Sequence, residues 1–400
     1  MIKPFPFHTD LRNHFKKQFK TWSWFSEEKV KEDQQETYKT DLLKNAYRID
    51  SETEPIVYQT LARAKDKLGI LIPITIYQSQ TIEANNAGIV FFEKEAHIIL
   101  SGTILKLLNE EELLVLFAHE LSHILLFTLE NGEFEITNRI INTIASDNTS
   151  ELFYYETARL YQLYTELFCD LGALKVSGSL ESTISTLIKL NTGLEKVSAE
   201  SYLKQADEIL ERIREGSDGE THPEIFIRAK SLQIFEKDKA NYYTRTEKII
   251  SGKTDLHQLN LFTKTVVFEI TKELISIILK PKWTQSEYSR TLYKQYFSNS
   301  DKISNAFIDD SFKLRIENSR ENLKDYYAYV MLDFALCDGD LKDGFIGHIL
   351  DISEQLALED NLKTILKKEL NLTEKTYKSF CQNCTTTLNS ILEADKENTY

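Results

Sequence analysis

The chain is poor in residues that interrupt regular structure, with 13 glycines and 6 prolines among its 400 residues. This scarcity favours a mainly helical protein. The four cysteines form no paired framework, which is consistent with a reducing compartment. Basic residues number 48 against 62 acidic ones, so the net charge of −14 argues against binding to nucleic acid or to anionic membrane surfaces.

Long apolar runs are also missing. No run of about 18 apolar residues occurs, so we expect no membrane insertion. The first ten residues contain no apolar segment after their lysine, and no signal peptide is visible. We therefore expect a cytoplasmic protein. A length of 400 residues exceeds one ordinary core and predicts two domains.

The most informative stretch begins at Asn109. This residue is a good helix N-cap, and Glu112 three positions later completes a start that resembles a capping box. The residues that follow are apolar nearly all round until Asn131-Gly132, a typical helix stop. The pattern therefore predicts a buried helix.

This helix contains His119 and His123 at i and i+4, with Glu120 directly after the first histidine. In such an H-E-x-x-H pattern both imidazoles share one face and can bind one metal ion. Glu120 can then hold and deprotonate a metal-bound water. The alternative is a pair of hydrogen-bonded core histidines, but burying these three polar side chains without partners is costly.

A zinc hydrolase needs a third protein ligand and an open fourth position. Glu166 and Asp170 are candidates, again at i and i+4, in a second long helical stretch that starts near Ser150. One carboxylate can bind the metal while the other accepts the free ring N–H of a ligand histidine. The alternative is a solvated acidic pair, which is common in an acidic chain.

These motifs together resemble a known family. They are similar to the motifs of the HtpX and CAAX-prenyl-endopeptidase type of zinc metallopeptidases, which are gluzincins. The similar segments are the H-E-x-x-H helix, the segment from Glu166 to Asp170, and Thr221-His222-Pro223 with Arg228 six residues after the histidine. The resemblance covers about residues 50–240. Cys169 stands where the family usually has alanine, and a free cysteine behaves as a small hydrophobe.

The resemblance implies a zinc metalloendopeptidase that acts on protein or peptide substrates, with one Zn²⁺ per chain. Glu120 is then the general base. His222 would donate a hydrogen bond to the oxyanion of the tetrahedral intermediate, or else be a water-exposed histidine at a helix start. Arg228 would order its segment or pair with an active-site carboxylate, unless it is a surface arginine. The implied metal ligands are His119, His123 and Glu166, with Asp170 orienting one imidazole.

A small sheet is expected before the metal helix. The resemblance implies that Asn86, Ala87 and Gly88 lie on an edge strand that pairs with an extended substrate, and a plain hairpin strand is the alternative. β-Branched content and position predict strands over 70–77, 87–92 and 96–101.

Two helices are expected over 179–215. A flexible loop then runs to Thr221 and delivers His222, and Pro223 suits the first turn of the next helix. Upstream, the segment 10–50 is expected to be helical, with its aromatic residues at 19–25 packed on the peptidase core or forming a partner surface.

After residue 243 the pattern changes to amphipathic helices. A helix–turn–helix around Asp338-Gly339-Asp340-Leu341 resembles the all-helical TerB-like domain. That family's acidic residue for divalent metals is offset here to Asp343, which leaves metal binding open. Cys381 and Cys384 are expected to be two helix cysteines rather than a zinc or redox motif. The tail from Glu393 is expected to be disordered.

We therefore predict a mainly α (α+β) fold. It comprises an N-terminal helical extension over 1–50, a zincin-like peptidase domain over 51–243 with a small sheet and a long H-E-x-x-H helix, and a helical accessory domain over 244–395. The predicted function is a zinc metalloendopeptidase, regulated or kept latent through its C-terminal domain. The alternative is a non-catalytic zinc scaffold in a stress or defence response, with a protein partner on that domain. A closed four-ligand site would support this alternative, and His222 is its candidate fourth ligand.

Overall fold

The computed structural model describes residues 2–27, 32–80, 84–212, 216–297 and 303–397. The chain divides into two compact units, Met1–Gly252 and Lys253–Tyr400. The sequence predicts a change after residue 243, whereas the helix Tyr242–Ser251 still belongs to the first unit because Tyr242 and Ile250 are buried in its core. A helical content of 70% beside one small sheet confirms the mainly α (α+β) fold.

The sheet lies in the first unit and has four strands, β1 (Ala46–Arg48), β2 (Ile74–Ser79), β3 (Asn86–Phe91) and β4 (Ala96–Ser101). Their order is β1-β2-β4-β3, with β2 and β4 parallel and the other two pairs antiparallel. β3 therefore lies at an edge of the sheet, as expected. The sequence misses β1 because three residues are too few to show an alternating pattern.

Helices make up the rest of the first unit. Gly69 closes the helix Pro55–Leu68 with a φ of 72°. The helices are α1 (Pro6–Lys16), α2 (Phe19–Glu27), α3 (Glu32–Asn45), α4 (Pro55–Leu68), α5 (Ile104–Leu107), α6 (Glu110–Thr128), α7 (Glu133–Ala145), α8 (Leu152–Ser177), α9 (Leu180–Thr192), α10 (Ala199–Arg212), α11 (Ile225–Lys237) and α12 (Tyr242–Ser251).

Helix α6 is the buried helix that the sequence predicts, and both of its ends are set by local chemistry. Asn109 and Glu112 form a reciprocal capping box, with both nitrogen–oxygen distances at 3.0 Å. The helix ends at Thr128, and the chain then turns because Glu130, Asn131 and Gly132 adopt positive φ values of 51°, 59° and 85°. The predicted stop is therefore confirmed.

Two hydrophobic cores meet at α6. On one side Leu114 and Phe117 pack with Ile98 of the sheet. On the other side α6 lies against α8 at very short range, because a Cβ atom on Gly172 would lie 1.8 Å from the Ser122 Oγ. This glycine brings the polar face of α8 next to the histidines of α6.

The helical stretch Glu110–Ala145 is long and apolar enough to cross a membrane by length and composition. It is not continuously apolar, since it contains Glu120 and two histidines. Of its most apolar stretch of 18 residues, 72% is buried inside the fold. Such burial is typical of a core helix. The absence of membrane insertion stays a prediction.

The aromatic segment of α2 is divided between core and solvent. Phe25 is buried, and the Arg139 guanidinium lies 5.8 Å from the centre of its ring. Phe19 and Trp24 are 77% and 58% exposed. Packing on the core is therefore confirmed for Phe25, and a partner surface at the exposed residues stays a prediction.

Helices are the main elements of the second unit in its described residues. The predicted helix, Asp-Gly turn and helix are present around Asp338, and both Cys381 and Cys384 lie in a helix as expected. The predicted disorder from Glu393 is wrong up to Glu397, because the last helix continues to that residue. The helices are α13 (Leu261–Ile278), α14 (Glu287–Tyr296), α15 (Asp310–Glu317), α16 (Glu321–Leu336), α17 (Lys342–Gln355), α18 (Glu359–Glu369) and α19 (Glu374–Glu397).

Candidate metal centre

The side chains of the H-E-x-x-H motif meet a carboxylate from α8. The His119 Nε2 lies 3.2 Å from the Glu166 Oε2, and the His123 Nε2 lies 3.7 Å from the Glu166 Oε1. The two imidazole ring centres are 5.4 Å apart. The structure therefore brings the three predicted metal ligands together at one point.

Asp170 and Arg228 support this group from behind. The His119 Nδ1 lies 3.1 Å from the Asp170 Oδ1, which orients the ring so that Nε2 faces Glu166. Arg228 donates two hydrogen bonds to Asp170, of 2.8 Å from Nε and 2.6 Å from Nη2. Its side chain is 11% exposed, so it is paired with a buried carboxylate and is not a surface arginine.

A third imidazole approaches from the segment before α11. The His222 Nε2 lies 3.4 Å from the Glu166 Oε2, and its Nδ1 lies 2.9 Å from the Thr221 Oγ1. The side chain is 51% exposed, so one side of the ring is open to solvent. The expectation that Pro223 occupies the first helical turn is wrong, because Glu224 is extended with a ψ of 147° and α11 starts after it.

Burial and charge give the two histidines opposite protonation behaviour. Burial would by itself lower the pKa of His119, but its hydrogen bond to Asp170 and the adjacent Glu166 outweigh this and raise the pKa to about 10. Burial lowers the pKa of His123 to about 4. Burial would raise the pKa of Glu166, but the neighbouring histidines hold it well below its usual range. The two carboxylates around His119 therefore favour a positive charge at this position, which a proton or a bound cation can supply.

Glu120 lies directly after the first histidine and is buried, with 4% of its surface exposed. Burial raises its pKa to about 7, although the positive charge of His119 opposes the shift. A carboxylate with a pKa near neutrality can accept and return a proton at physiological pH.

The donor set fits a metal ion such as zinc. The Glu166 Oε2 is buried without a hydrogen-bond partner in the described part of the chain, although the nitrogens of His119 and His222 are nearby. When His119 is neutral, as a metal ligand is, three carboxylates face the one guanidinium of Arg228, and a divalent cation would compensate the excess negative charge. Two imidazoles and one carboxylate are a ligand set that catalytic zinc sites use.

Cys169 offers a competing third ligand. Its Sγ and the ligand nitrogens of His119 and His123 all lie within 4.8 Å of one another. Burial and the nearby carboxylates, Glu166 first among them, raise the pKa of the Cys169 thiol well above its usual value. Glu166 is the better candidate on geometry, because its two carboxylate oxygens lie 3.2 and 3.7 Å from the Nε2 atoms of the two histidines.

The three residues expected to bind substrate lie on the edge strand β3. Asn86, Ala87 and Gly88 line a pocket together with residues of β2 and β4, and a Cβ on Gly88 would meet no atom within 4 Å. The described residues pair β3 on one side only. Its last residue, Phe91, stacks on Phe127 of α6. The strand edge is therefore available for pairing with an extended peptide.

Comparison with known proteins identifies part of this arrangement. Residues 48–128 match the family model of peptidase family M48. The match contains β2 to α6, including the H-E-x-x-H motif, and supports a metallopeptidase. It ends before Glu166, Asp170, His222 and Arg228. No curated protein and no solved structure matches the chain.

Sequence reasoning misses two contacts of the site. Gln162 donates a hydrogen bond of 3.3 Å from Nε2 to the Glu166 Oε1, and its i−4 spacing on the same helix could have predicted it. Arg159 lies another turn earlier and holds the segment that carries His222. Nothing in the sequence marks Arg159, since its backbone partners are 58 and 60 residues away.

Proposed function

We propose that this protein is a zinc-dependent metalloendopeptidase. The observation that carries the proposal is the convergence of the His119 and His123 Nε2 atoms on the buried, ionised Glu166, with Glu120 next to them. Zn²⁺ bound to these three ligands would lower the pKa of water and polarise the scissile carbonyl. The M48 match over the segment that contains the motif supports this chemistry.

In the proposed reaction Glu120 accepts the proton of the attacking water and then donates it to the leaving amine. His222 donates a hydrogen bond to the carbonyl oxygen as negative charge develops on it. Asp170 keeps the His119 Nδ1 engaged, so that Nε2 stays free to bind the metal. The substrate lies extended along β3, with backbone hydrogen bonds to Asn86, Ala87 and Gly88 or their neighbours.

A latent form of the same enzyme is the second candidate. Its basis is the distance of 3.4 Å between the His222 Nε2 and the Glu166 Oε2, which puts a fourth ligand, a third imidazole nitrogen, within reach of the metal position. A site closed by four protein ligands has no place for water. In this form a protein partner on the C-terminal helices would release the site. The TerB-like character of that region and a cytoplasmic location stay predictions.

Cleavage of unfolded casein, with and without a chelator, tests the proposal. We expect chelator-sensitive cleavage that Glu120→Gln lowers about 10²–10⁴-fold, the range of general base catalysis. The variant should still bind one zinc ion per chain, because Glu120 is not a ligand. Full activity of Glu120→Gln would rule out the mechanism.

The latent form predicts the opposite effect of a second change. Purified protein would hold zinc without cleaving casein, and His222→Ala would then raise cleavage by opening the fourth position. In the active form His222→Ala lowers cleavage, because a hydrogen bond to the transition state is lost.

A further inference from the structure

The segment that carries His222 is not a free loop. Residues 216–224, here called the His222 loop, are held by side chains on α8, the helix that also carries Glu166. Tyr155, near the start of α8, donates a hydrogen bond of 2.5 Å from its hydroxyl to the Glu220 Oε2. The sequence-based expectation of a flexible loop is therefore wrong for these residues.

Arg159 makes the central contact with the His222 loop. Its Nη1 donates to the backbone oxygens of Ser217, at 3.1 Å, and Gly219, at 2.6 Å. Its Nε and Nη2 donate to the two carboxylate oxygens of Glu156, at 2.7 and 2.8 Å. With 8% of its side chain exposed, the guanidinium is fixed between one carboxylate and two carbonyls.

The His222 loop is also tightly folded on itself. Glu224 accepts hydrogen bonds from the Ser217 Oγ, at 2.7 Å, and from the Asp218 backbone N–H, at 2.9 Å. A Cβ on Gly219 would lie 2.0 Å from the backbone oxygen of His222, so glycine is required there. The backbone of Gly219 is therefore in close contact with that of His222.

The spacing on α8 relates this clamp to the metal ligands. Arg159 and Glu166 are seven residues apart, two helical turns, and so lie on one face of the helix. We propose that Arg159 is a positioning residue that holds the His222 loop so that the His222 ring stays beside Glu166. This inference rests on the proposed function, in which His222 contacts the reacting carbonyl.

Arginine suits this position for a geometric reason. Its planar guanidinium offers five N–H donors in a fixed arrangement, which serve the Glu156 carboxylate and two carbonyls at once. Lysine has one nitrogen and cannot reach all of these acceptors together. Arg159→Lys should therefore behave more like Arg159→Ala than like the unchanged protein.

Hydrogen–deuterium exchange of the zinc-loaded full chain tests the clamp without using activity. Arg159→Ala should make the backbone of residues 216–224 exchange about tenfold faster or more, because two hydrogen bonds that hold the segment are lost. Arg139→Ala is the matched control, since Arg139 also pairs with a glutamate, Glu135, and donates to a backbone oxygen, that of Phe25. The control should leave the exchange of residues 216–224 unchanged.

Casein cleavage then tests whether the clamp acts through His222. Loss of a hydrogen bond to the developing oxyanion in His222→Ala should lower kcat about 10²-fold, and Arg159→Ala should lower it in the same direction with an unchanged zinc content. The double variant should be no slower than His222→Ala alone, because both changes remove one interaction.

Three results would overturn parts of this picture. Unchanged exchange of residues 216–224 in Arg159→Ala would show that Arg159 does not hold the loop. Fully additive losses of kcat in the double variant would show that Arg159 acts independently of His222. No chelator-sensitive cleavage by the unchanged protein would overturn the proposed function, while the exchange result would still decide whether Arg159 holds the loop.

Discussion

The two units of this protein differ in what they bury. In the first unit, charged or histidine side chains are buried at eight positions of the described chain, whereas in the second unit Asp338 is the one such side chain buried among the described residues. The second core consists of aliphatic and aromatic residues, including Phe334 and Phe345. The eight positions of the first unit are His8, His97, Glu112, Glu120, Glu156, Glu166, Asp170 and Lys189.

Buried charge alone does not mark the site. Glu112, in the first turn of α6, and Lys189 form a buried ion pair at 2.9 Å. Each of these two charges is therefore compensated by the other. At the metal centre three carboxylates meet one arginine, so the charges balance only when His119 holds a proton or a cation is bound. Uncompensated buried charge lowers the stability of a fold unless a ligand supplies the missing charge. This difference between the two units favours the first unit as the location of the proposed metal centre.

The largest expected effect separates the two candidate third ligands. Glu166→Ala should abolish both zinc binding and cleavage, because it removes the ionised donor between the imidazoles. Cys169→Ala is the matched control and should retain one zinc ion per chain, since Glu166 still supplies the third ligand. Metal analysis of dialysed protein measures both. Loss of zinc in Cys169→Ala with retention in Glu166→Ala would reverse the assignment.

The apolar core of the second unit should respond to cavities without affecting the metal. Phe334→Ala removes a fully buried ring and should cost about 3–5 kcal/mol of the free energy of unfolding of that unit. Zinc content and cleavage should be unchanged at temperatures where the variant is folded. Phe134→Ala makes the same change in the first unit and should destabilise the unit that contains the proposed metal centre.

Denaturant titration with zinc content as a second readout distinguishes the two variants. If Phe334→Ala releases zinc while the second unit is still folded, the two cores are not independent and the comparison fails.

A smaller effect is expected behind the metal ligands. Asp170→Asn should weaken zinc affinity about 10–100-fold, because the carboxylate that orients the His119 imidazole is lost. Asp255→Asn is the matched change in the second unit, where the Asp255 Oδ2 accepts a hydrogen bond of 2.9 Å from the Arg320 Nη1. Competition with a zinc-binding dye measures both affinities. An equal loss in the two variants would show a general effect on stability.

The pH dependence of cleavage should reflect the buried base. Glu120 acts when deprotonated, and burial raises its pKa to about 7. Activity should therefore be present above this pH and fall about tenfold per unit below it. A bound cation lowers the pKa of a nearby carboxylate, so the fall lies at or below pH 7. The residual activity of Glu120→Gln should show no such fall, and a fall in that variant would assign it to another group.

Local sequence determines the metal helix almost completely. Three of its features depend only on neighbours within one or two turns. These are the capping box at Asn109, the positive-φ residues that end at Gly132, and the spacing of His119 and His123. Such interactions are readable from sequence because the helix geometry relates i to i+3 and i+4 directly. The two long helices follow from patterns of the same kind, whereas the edge position of β3 is implied by the family resemblance.

Tertiary structure decides which carboxylate faces which nitrogen. The i, i+4 spacing of Glu166 and Asp170 puts both on one face of α8 but does not say which turn lies opposite His119. That depends on the close approach of α8 to α6 at Gly172, a contact with Ser122, which lies 50 residues earlier in the chain. Packing at long sequence separation leaves no periodic signal.

The same reason explains the His222 loop. The sequence Gly-Ser-Asp-Gly is typical of a flexible connection, and the acceptors that Arg159 requires are backbone oxygens, which every residue type carries. The sequence by itself therefore determined the helix that carries the H-E-x-x-H motif and the class of chemistry proposed for it. The fold decided how Asp170, Arg228 and Arg159 are arranged around it, because those contacts depend on how distant segments pack.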